Sequence, residues 1–398
     1  MTAAAPRRAI ILVLDGVGAG AAPDAPAYGD AGSNTLGHVC AWAAEHVRGW
    51  GLPNLARLGL GRVAPLAGVP PYSKPTAAWG TMRPASAGKD STTGHWEIAG
   101  VLLERPFPTY PNGFPDALVA AFVERTGRPV IGNVVGSGTD VMQHYGAEHE
   151  RTGAWILYTS ADSVFQVAAH EQVVPLAELY TACETARAML VAPNDVSRVI
   201  ARPFDGTVGA YRRTANRRDY SVAPPAETLL DALAAAGVPR DGVGKVDDLF
   251  AGRALAAHHT ADNAEGAARV LDWARAGAGG LLFANLVDFD TLYGHRNDPA
   301  GFAAALRAFD DVVPALLGAL REDDLLFITA DHGNDPTTAS SDHARERVPL
   351  LACGARVRPG PLSERATFAD LGATVAEWLG ADFRGRGTSF LPALLGRP

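Results

Sequence analysis

The sequence predicts an α/β fold, a doubly wound and mostly parallel sheet core with an inserted, smaller α/β cap domain. Several short apolar runs lack period-2 alternation and end in charged or polar residues, which is typical of strands buried on both faces. Ala- and Leu-rich stretches with helical period lie between these runs, and strands that alternate with helices indicate a parallel sheet. From about residue 106 to 217 the chain is instead rich in Pro and Gly.

The core elements follow from these runs. The predicted strands are AIILVL, which ends at Asp15, GLLFANLV, which ends at Asp288 and Asp290, LLFITA, which ends at Asp331 and His332, and VPLLACG near residue 350. The predicted core helices are Pro225–Ala236, Asn263–Arg275, Ala300–Leu320 and Phe368–Leu379.

The middle of the chain contains two strand-like segments, AWILYTS and VSRVIARPF, around one helical stretch, Pro175–Met189. Candidate site residues lie on both sides of this region. We therefore predict that residues 106–217 are an insertion that forms a cap, and that residues 1–105 and 218–398 together form the core.

Composition excludes several classes of protein. The 398 residues contain 43 Asp and Glu against 35 Lys and Arg, a net charge of −8, which disfavours non-specific binding to nucleic acid. Three widely spaced cysteines without a C-x-x-C motif argue against a disulfide framework and favour a reducing compartment. Because no apolar run is long enough for a signal sequence or a membrane span, we expect a cytoplasmic protein without a membrane partner.

Metal-ligand residue types follow the predicted strand LLFITA. Asp331 and His332 come directly after it, and His343 lies one loop further on. Ligands bind outside the carboxyl ends of parallel strands, and oxygen and nitrogen ligands without thiolate suit Mn²⁺, Zn²⁺ or Mg²⁺. The alternative is a surface Asp-His turn in which the aspartate caps a helix.

A second such pair follows the strand GLLFANLV. A short loop can bring Asp290 and His295 onto one ion, and Asp288 competes because alternate strand residues share a face. The alternative is a helix-capping aspartate with an incidental histidine.

Asp15 ends the first strand and is a further candidate ligand, or else a turn residue. The GVGAG that follows does not fit the dinucleotide-binding pattern G-x-G-x-x-G. Ala21 occupies the sixth position counted from Gly16, and Pro23 the sixth counted from Gly18.

The segment GKDSTTGHWE, from Gly88, offers candidate nucleophiles. It is not a P-loop, because Arg83 stands where glycine is required and Asp90 follows the lysine. A hydroxyl at a helix N-terminus lies among free N–H groups, and a metal-coordinated hydroxyl becomes a nucleophile. The alternative is simple N-capping. Together with the two ligand clusters, this segment predicts two-metal phosphoryl transfer, with ions about 3.5–4 Å apart.

At this level of detail the sequence resembles the phosphopentomutase family of the alkaline phosphatase superfamily, in order and over nearly the whole chain. The resemblance rests on LDGVGAGAAPDAPAYGDAGSNTLGH, GKDSTTGHWEI, YTSADSVFQVAAHE, RVIARPF, NLVDFDTLYGHR, ITADHGNDPTTASSDHARE and VPLL. It implies an alkaline-phosphatase-like core with an inserted cap and a centre of two Mn²⁺, for which Mg²⁺, Co²⁺ or Zn²⁺ are possible substitutes.

The resemblance also implies the ligand sets and the nucleophile. One metal site would comprise Asp290, His295 and His343, and the other Asp15, Asp331, His332 and the oxygen of Ser91. Ser91 takes the nucleophile position of the family motif KD-[hydroxyl]-TGH, where the family usually has Thr and related phosphatases use Ser. Two further departures are SDHARE in place of TDHTRE, and Asn34 in place of Asp in GSNTLGH.

The implied activity is reversible movement of phosphate between positions 1 and 5 of ribose or deoxyribose, on a phosphoserine enzyme primed by a sugar bisphosphate. The partners would be small-molecule pentose phosphates, and the oligomeric state is left open. The resemblance favours Asp162 and Lys245 as substrate ligands. Arg202 and Arg213 have the chemistry to bind phosphate, or else pair with acidic residues. A metal-dependent phosphomonoester hydrolase, or a sugar-phosphate-binding protein without turnover, are the alternatives.

Overall fold

The computed structural model describes residues 6–160, 162–276 and 279–396. The chain divides into two compact units, a larger one of Met1–Arg105 with Pro224–Pro398 and a smaller one of Pro106–Ala223. The smaller unit extends beyond the predicted boundary at residue 217. The reason is that the strand Arg218–Ser221 pairs antiparallel with the strand Arg198–Asp205 and thus belongs to the same sheet.

The strands, numbered in chain order, are β1 (Arg8–Leu14), β2 (Ala78–Met82), β3 (Val130–Val135), β4 (Trp155–Thr159), β5 (Val164–His170), β6 (Arg198–Asp205), β7 (Arg212–Arg213), β8 (Arg218–Ser221), β9 (Arg240–Val243), β10 (Ala257–His258), β11 (Gly280–Leu286), β12 (Asp324–Thr329), β13 (Val348–Cys353) and β14 (Gly360–Pro361).

The α-helices are α1 (Thr35–His46), α2 (Pro53–Leu58), α3 (Leu60–Val63), α4 (Ser91–Ile98), α5 (Asp116–Thr126), α6 (Gly138–Thr152), α7 (Leu176–Met189), α8 (Leu229–Ala235), α9 (Val246–Leu249), α10 (Asn263–Ala276), α11 (Pro299–Ala319), α12 (Ala369–Leu379) and α13 (Leu391–Leu394). Two 3₁₀ turns, Ala25–Tyr28 and Gly294–Arg296, and a π-helical turn, Phe289–Tyr293, complete the helical elements.

The sheet of the larger unit has the strand order β10-β9-β11-β1-β12-β13-β2-β14. Its strands are parallel except β13, which runs antiparallel to both of its neighbours. Every residue of β1, β11 and β12 is buried, as expected for strands covered on both faces. The buried Arg8 of β1 is accommodated because its guanidinium donates to both carboxylate oxygens of Asp324 on the adjacent strand.

The register of the central strands determines where the site lies. Leu14 of β1 is level with Leu286 of β11, and Val13 is level with Thr329 of β12. The segments that follow these three strands therefore leave the same edge of the sheet at neighbouring positions, which is where ligands bind in parallel α/β sheets.

The smaller unit is a second α/β layer structure. Its sheet has the order β3-β4-β5-β6-β7, with β8 also paired to β6. Trp155 of β4 packs with Phe122 of α5 and Leu179 of α7 on one face of the sheet. Tyr158, further along β4, packs with Met142 of α6 on the other. Helices thus cover both faces of this sheet.

Among the described residues, no helix combines the length and the apolar character that crossing a membrane would require.

Candidate active site

The nucleophile candidate Ser91 is the first residue of α4. Asp90 caps this helix, because its carboxylate accepts hydrogen bonds from the backbone N–H and the hydroxyl of Thr93. Ser91 therefore does not serve as the cap. Its Oγ lies 3.0 Å from Nε2 of His332 and 3.4 Å from Oδ1 of Asp15.

A first group of candidate ligands surrounds this hydroxyl, and we refer to Asp15, Asp331 and His332 as the Asp15 group. Asp15 directly follows β1, and the other two residues follow β12 after one alanine. One ligand atom from each residue lies within 4.8 Å of those from the other two, and all three side chains are buried. The structure thus brings together the residues that the sequence predicted for this site.

Asp290, His295 and His343 form a second group, which we call the Asp290 group. Nε2 of His295 lies 3.2 Å from Oδ2 of Asp290, and Nε2 of His343 lies 3.4 Å from Oδ1 of the same residue. His332 also lies within ligand distance of Asp290 and His343, so the two groups adjoin.

Asp288, the competitor of Asp290 in the sequence, points elsewhere. Its carboxylate accepts a hydrogen bond of 2.7 Å from the backbone N–H of Asn263, at the start of α10, and its own N–H donates to the side chain of Asn263. Asp288 thus anchors a helix N-terminus, and Asp290 alone of the two enters the ligand cluster.

The charges of the two groups favour a bound cation. Burial raises the pKa of Asp15, and the carboxylates of Asp331 and Asp290 raise it further. Burial acts in the same direction on Asp290, but the imidazoles of His343 and His295 hold its pKa well below the usual range. A divalent ion would relieve the repulsion among these carboxylates.

Two buried ligand atoms also lack a well-aligned hydrogen bond among the described residues. Nδ1 of His95 lies 3.1 Å from Oδ2 of Asp331, and Oδ1 of Asp290 lies 3.4 Å from Nε2 of His343, but neither pair has hydrogen-bond geometry. Buried polar atoms are rarely left unsatisfied unless an ion or water completes the site. The donor set contains carboxylate oxygens and imidazole nitrogens without thiolate, so the residues present fit Mn²⁺, Mg²⁺ or Zn²⁺.

Two buried charges that the sequence reasoning missed hold the loop before Ser91. The carboxylate of Glu97 accepts hydrogen bonds from the N–H groups of Ala85 and Ser86. The guanidinium of Arg345 donates to the carbonyl oxygens of Ser86 and Gly88. For Glu97 the available signal was a charge between the apolar residues Trp96 and Ile98, whereas Arg345 stands in a charged segment that offered no such signal.

His95 is a further residue that the sequence reasoning did not assign. Its Nδ1 lies 2.9 Å from the carbonyl oxygen of Ser91 and 3.1 Å from Oδ2 of Asp331. His95 therefore connects the first turn of α4 to the Asp15 group. Its position one turn after Ser91 in the helical spacing was the signal that could have identified it.

In the larger unit, the predicted substrate ligand Lys245 lies just beyond the carboxyl end of β9. Its side chain is exposed, and its charge lowers the pKa of Asp288, which burial raises. Lys245 thus leaves the same edge of the sheet as the ligand-bearing segments.

In the smaller unit, Asp162 is exposed in the turn between β4 and β5. Arg202 and Arg213 lie on adjacent strands, because Arg213 of β7 pairs with Phe204 of β6, two residues after Arg202. Burial lowers the pKa of Arg202, and the nearby cations Arg217 and Arg213 lower it further. The structure therefore brings the two predicted arginines together, whereas Asp162 lies in a separate turn.

Comparison with known proteins agrees with this architecture. Residues 7–383 match the model of the Metalloenzyme superfamily. The chain is 53% identical over 391 residues to the phosphopentomutase of Desulfitobacterium hafniense, covering 98% of this chain and 100% of that protein. It is 55% identical over 387 residues to the phosphopentomutase of an Anaeromyxobacter species, covering 97% of this chain and 98% of the relative.

Among solved structures, Leishmania mexicana phosphoglycerate mutase is similar with a TM-score of 0.51 at 12% identity, over 98% of each chain, which concerns the fold alone. Fold and site define a metalloenzyme with an alkaline-phosphatase-like core, as the sequence predicted. Within that superfamily, the chain belongs to the phosphopentomutase family, a family of isomerases.

Proposed function

We propose that this protein moves phosphate reversibly between positions 1 and 5 of ribose or deoxyribose through a phosphoserine at residue 91. The observation that carries the proposal is the position of the Ser91 hydroxyl beside His332 and Asp15, next to a second group of ligand atoms. The relatives at 53% and 55% identity are phosphopentomutases, which supports the same activity here.

In the first transfer, the bond between phosphorus and Oγ of phospho-Ser91 breaks, and a bond forms from phosphorus to the free hydroxyl of the bound monophosphate. That hydroxyl loses its proton, the released Oγ of Ser91 takes one up so that the serine hydroxyl is restored, and the product is a pentose 1,5-bisphosphate. In the second transfer, the other phosphate of the bisphosphate returns to Ser91, which restores the phosphoenzyme and releases the isomeric monophosphate. A sugar bisphosphate would prime the unphosphorylated enzyme in the same way.

The Asp15 group and the Asp290 group would each hold one divalent cation, Mn²⁺ in our proposal, with Mg²⁺, Co²⁺ or Zn²⁺ as substitutes. When bound, such ions neutralise the charge that spreads over the transferring phosphoryl oxygens. The position of Ser91 in the first turn of α4 adds free backbone N–H groups, which favour an anion at that point.

The distal phosphate and the sugar require further ligands, and we propose Lys245 in the larger unit and Asp162, Arg202 and Arg213 in the smaller one. Asp162 can accept hydrogen bonds from ribose hydroxyls, and its exposure leaves it accessible to a small molecule. The crowding of Arg202 by Arg213 and Arg217 supports an anion-binding role, because a phosphate would offset the mutual repulsion of the guanidinium groups.

We propose that the smaller unit acts as a cap that keeps water away from the phosphoenzyme. A mutase must transfer phosphate to a sugar hydroxyl and not to water, which the same core chemistry would otherwise permit. We also propose a cytoplasmic location, which the free and buried state of Cys40, Cys183 and Cys353 supports.

The test is a coupled assay of ribose 5-phosphate isomerisation with and without a sugar bisphosphate primer, in which released phosphate is measured in parallel. We expect isomerisation that depends on the primer and negligible release of phosphate. Stoichiometric release of phosphate without isomerisation would instead identify the protein as a phosphomonoester hydrolase. Absence of both reactions in the metal-loaded protein would leave only a binding function.

A further inference from the structure

Two buried asparagines contact the aspartates of the two ligand groups, one asparagine for each group. Nδ2 of Asn285 donates a hydrogen bond of 2.7 Å to Oδ2 of Asp15. Nδ2 of Asn334 donates a hydrogen bond of 2.7 Å to Oδ1 of Asp290. Both asparagines are at most 2% exposed, so water does not compete for these bonds. The same interaction therefore occurs once in each group.

The hydrogen bond from Asn285 fixes which oxygen of Asp15 is available to the site. Oδ2 of Asp15 is occupied by the amide, whereas Oδ1 faces Nε2 of His332 at 3.2 Å and the hydroxyl of Ser91 at 3.4 Å. Rotation of the carboxylate would break the bond to the amide. Asn285 itself is fixed on β11, in register with Val13 of β1, directly beside the end of the strand that carries Asp15.

Asn334 holds Asp290 from the segment that follows β12. Its backbone N–H donates to the carbonyl oxygen of Gly16, and its side chain passes close to Gly294. A Cβ at residue 294 would lie 2.5 Å from Cγ of Asn334, and one at residue 16 would lie 3.1 Å from its Cβ. Glycine at residue 294 therefore leaves the space in which the amide reaches Asp290, whereas a Cβ at residue 16 would require Asn334 to shift by a few tenths of an ångström.

The amide oxygens of the two asparagines have no comparable role. Oδ1 of Asn285 and Oδ1 of Asn334 are buried without a hydrogen-bond partner among the described residues. A buried polar atom without a partner costs stability, so an amide is a poor choice for packing alone. The opposite amide orientation would place each oxygen against a carboxylate oxygen, which the charge of the carboxylate excludes.

We infer that Asn285 and Asn334 are positioning residues, each of which orients the aspartate of one metal site and so sets the affinity of that site alone. The inference rests on the two-metal centre of the proposed function. Outer hydrogen-bond partners of metal ligands typically change affinity about 10- to 100-fold when they are removed. Leucine has a similar size and no donor, so Asn285→Leu and Asn334→Leu test the hydrogen bond with little change in volume.

The experiment measures Mn²⁺ binding to protein that retains one intact group. In a His343→Ala background, which leaves the Asp15 group intact, Asn285→Leu should weaken Mn²⁺ binding about 10- to 100-fold, and Asn334→Leu should leave it unchanged. In an Asp331→Ala background, which leaves the Asp290 group intact, the two asparagine variants should exchange effects. Each asparagine is thus the matched control for the other.

The free energy of unfolding of the metal-free variants, measured with urea, separates positioning from general packing. A packing role would lower this free energy and weaken both sites together, which would overturn the inference. Equal Mn²⁺ affinity with and without the asparagines would overturn it as well. If a leucine variant does not fold, the corresponding alanine variant, Asn285→Ala or Asn334→Ala, is measured instead, because alanine cannot overpack the site. The expected changes in Mn²⁺ affinity are the same.

The same measurements distinguish failure of this inference from failure of the proposed function. If neither parent background binds Mn²⁺ but the full chain binds two ions, the two groups do not hold their ions independently, and the inference that each asparagine sets the affinity of one site alone is overturned, whereas the ligand assignment of the proposed function stands. If the backgrounds bind Mn²⁺ and the asparagines have their expected effects, the inference stands even when the coupled assay shows hydrolysis in place of isomerisation.

Discussion

Glu97 is a buried residue of α4 whose carboxylate contacts the loop that precedes Ser91. Replacing Glu97 by glutamine exchanges one of the two carboxylate oxygens for an amino group. Glu97 is 1% exposed, and its two oxygens accept hydrogen bonds from the N–H groups of Ala85, Ser86 and Phe368 and from the hydroxyl of Thr367. The carboxylate has no free lone pair that faces solvent. Glutamine has only one acceptor oxygen and must therefore leave at least one of the four donors without an acceptor.

The arrangement of the donors sets the size of the effect. If the glutamine oxygen takes the place of Oε1, it keeps the bonds from Thr367, Phe368 and Ala85, and the new amino group faces the N–H of Ser86 at the former 2.7 Å distance. One charge-assisted bond is lost and a buried donor is left unsatisfied, which together cost roughly 2–4 kcal/mol. The opposite orientation loses more bonds and is disfavoured.

The assay measures the free energy of unfolding of the metal-free wild type and of the metal-free variant with urea. The two values are comparable when the free energy of unfolding falls with urea concentration at the same slope in both proteins. The control is Glu377→Gln, the same chemical change at an exposed position of α12, which should change the free energy of unfolding by less than about 0.5 kcal/mol. A Glu97→Gln variant that matches this control would refute the argument that Glu97 holds the loop.

Three further predictions concern the site. Asp331→Ala or His343→Ala should abolish turnover and reduce metal content. Circular dichroism should show an intact fold, because both ligands lie on loops outside the packed sheet. Full activity in either variant would contradict the site assignment. Ser91→Ala should accept no phosphate from a bisphosphate, whereas Ser91→Thr should remain active because the hydroxyl is kept; mass spectrometry that places phosphate on another residue of the wild type excludes Ser91. Deletion of Pro106–Ala223, with the ends joined by a short linker, should abolish ribose 5-phosphate isomerisation but retain hydrolysis of a small activated phosphate ester. Unchanged isomerisation by the deleted protein would show that the cap is dispensable.

The hydroxyl segment shows what local sequence can decide. The structure shows that Asp90, and not a hydroxyl residue, caps α4, and Asp is among the residue types that favour this position. Because this cap contacts Thr93, it leaves Ser91 in the first turn with its hydroxyl free to face the ligands. That Ser91 approaches His332, distant in sequence, depends on the packing of α4 against the sheet and could only be supplied by the resemblance to a family.

The choice between Asp288 and Asp290, in contrast, could not be made from local sequence. The rule that alternate residues share a face holds only within a strand, and β11 ends at Leu286. A π-helical turn, Phe289–Tyr293, follows and rotates the two carboxylates apart, so that one meets Asn263 and the other the imidazoles. Spacing along the chain does not predict where a chain turns after a strand, and tertiary contacts made this choice.

The sequence by itself determined the strands β1, β11, β12 and β13, because uninterrupted apolar runs such as that of β1 are stable only when both faces are covered. It also determined that Asp and His side chains would emerge at the strand ends, since the runs stop there. Only the tertiary structure decided that the sheet of the smaller unit includes β8, and that Asn285 and Asn334 contact one aspartate each. Those contacts join residues between 44 and 270 positions apart, and no local propensity or spacing specifies such pairs, which depend on the register between strands and on the space left by particular glycines.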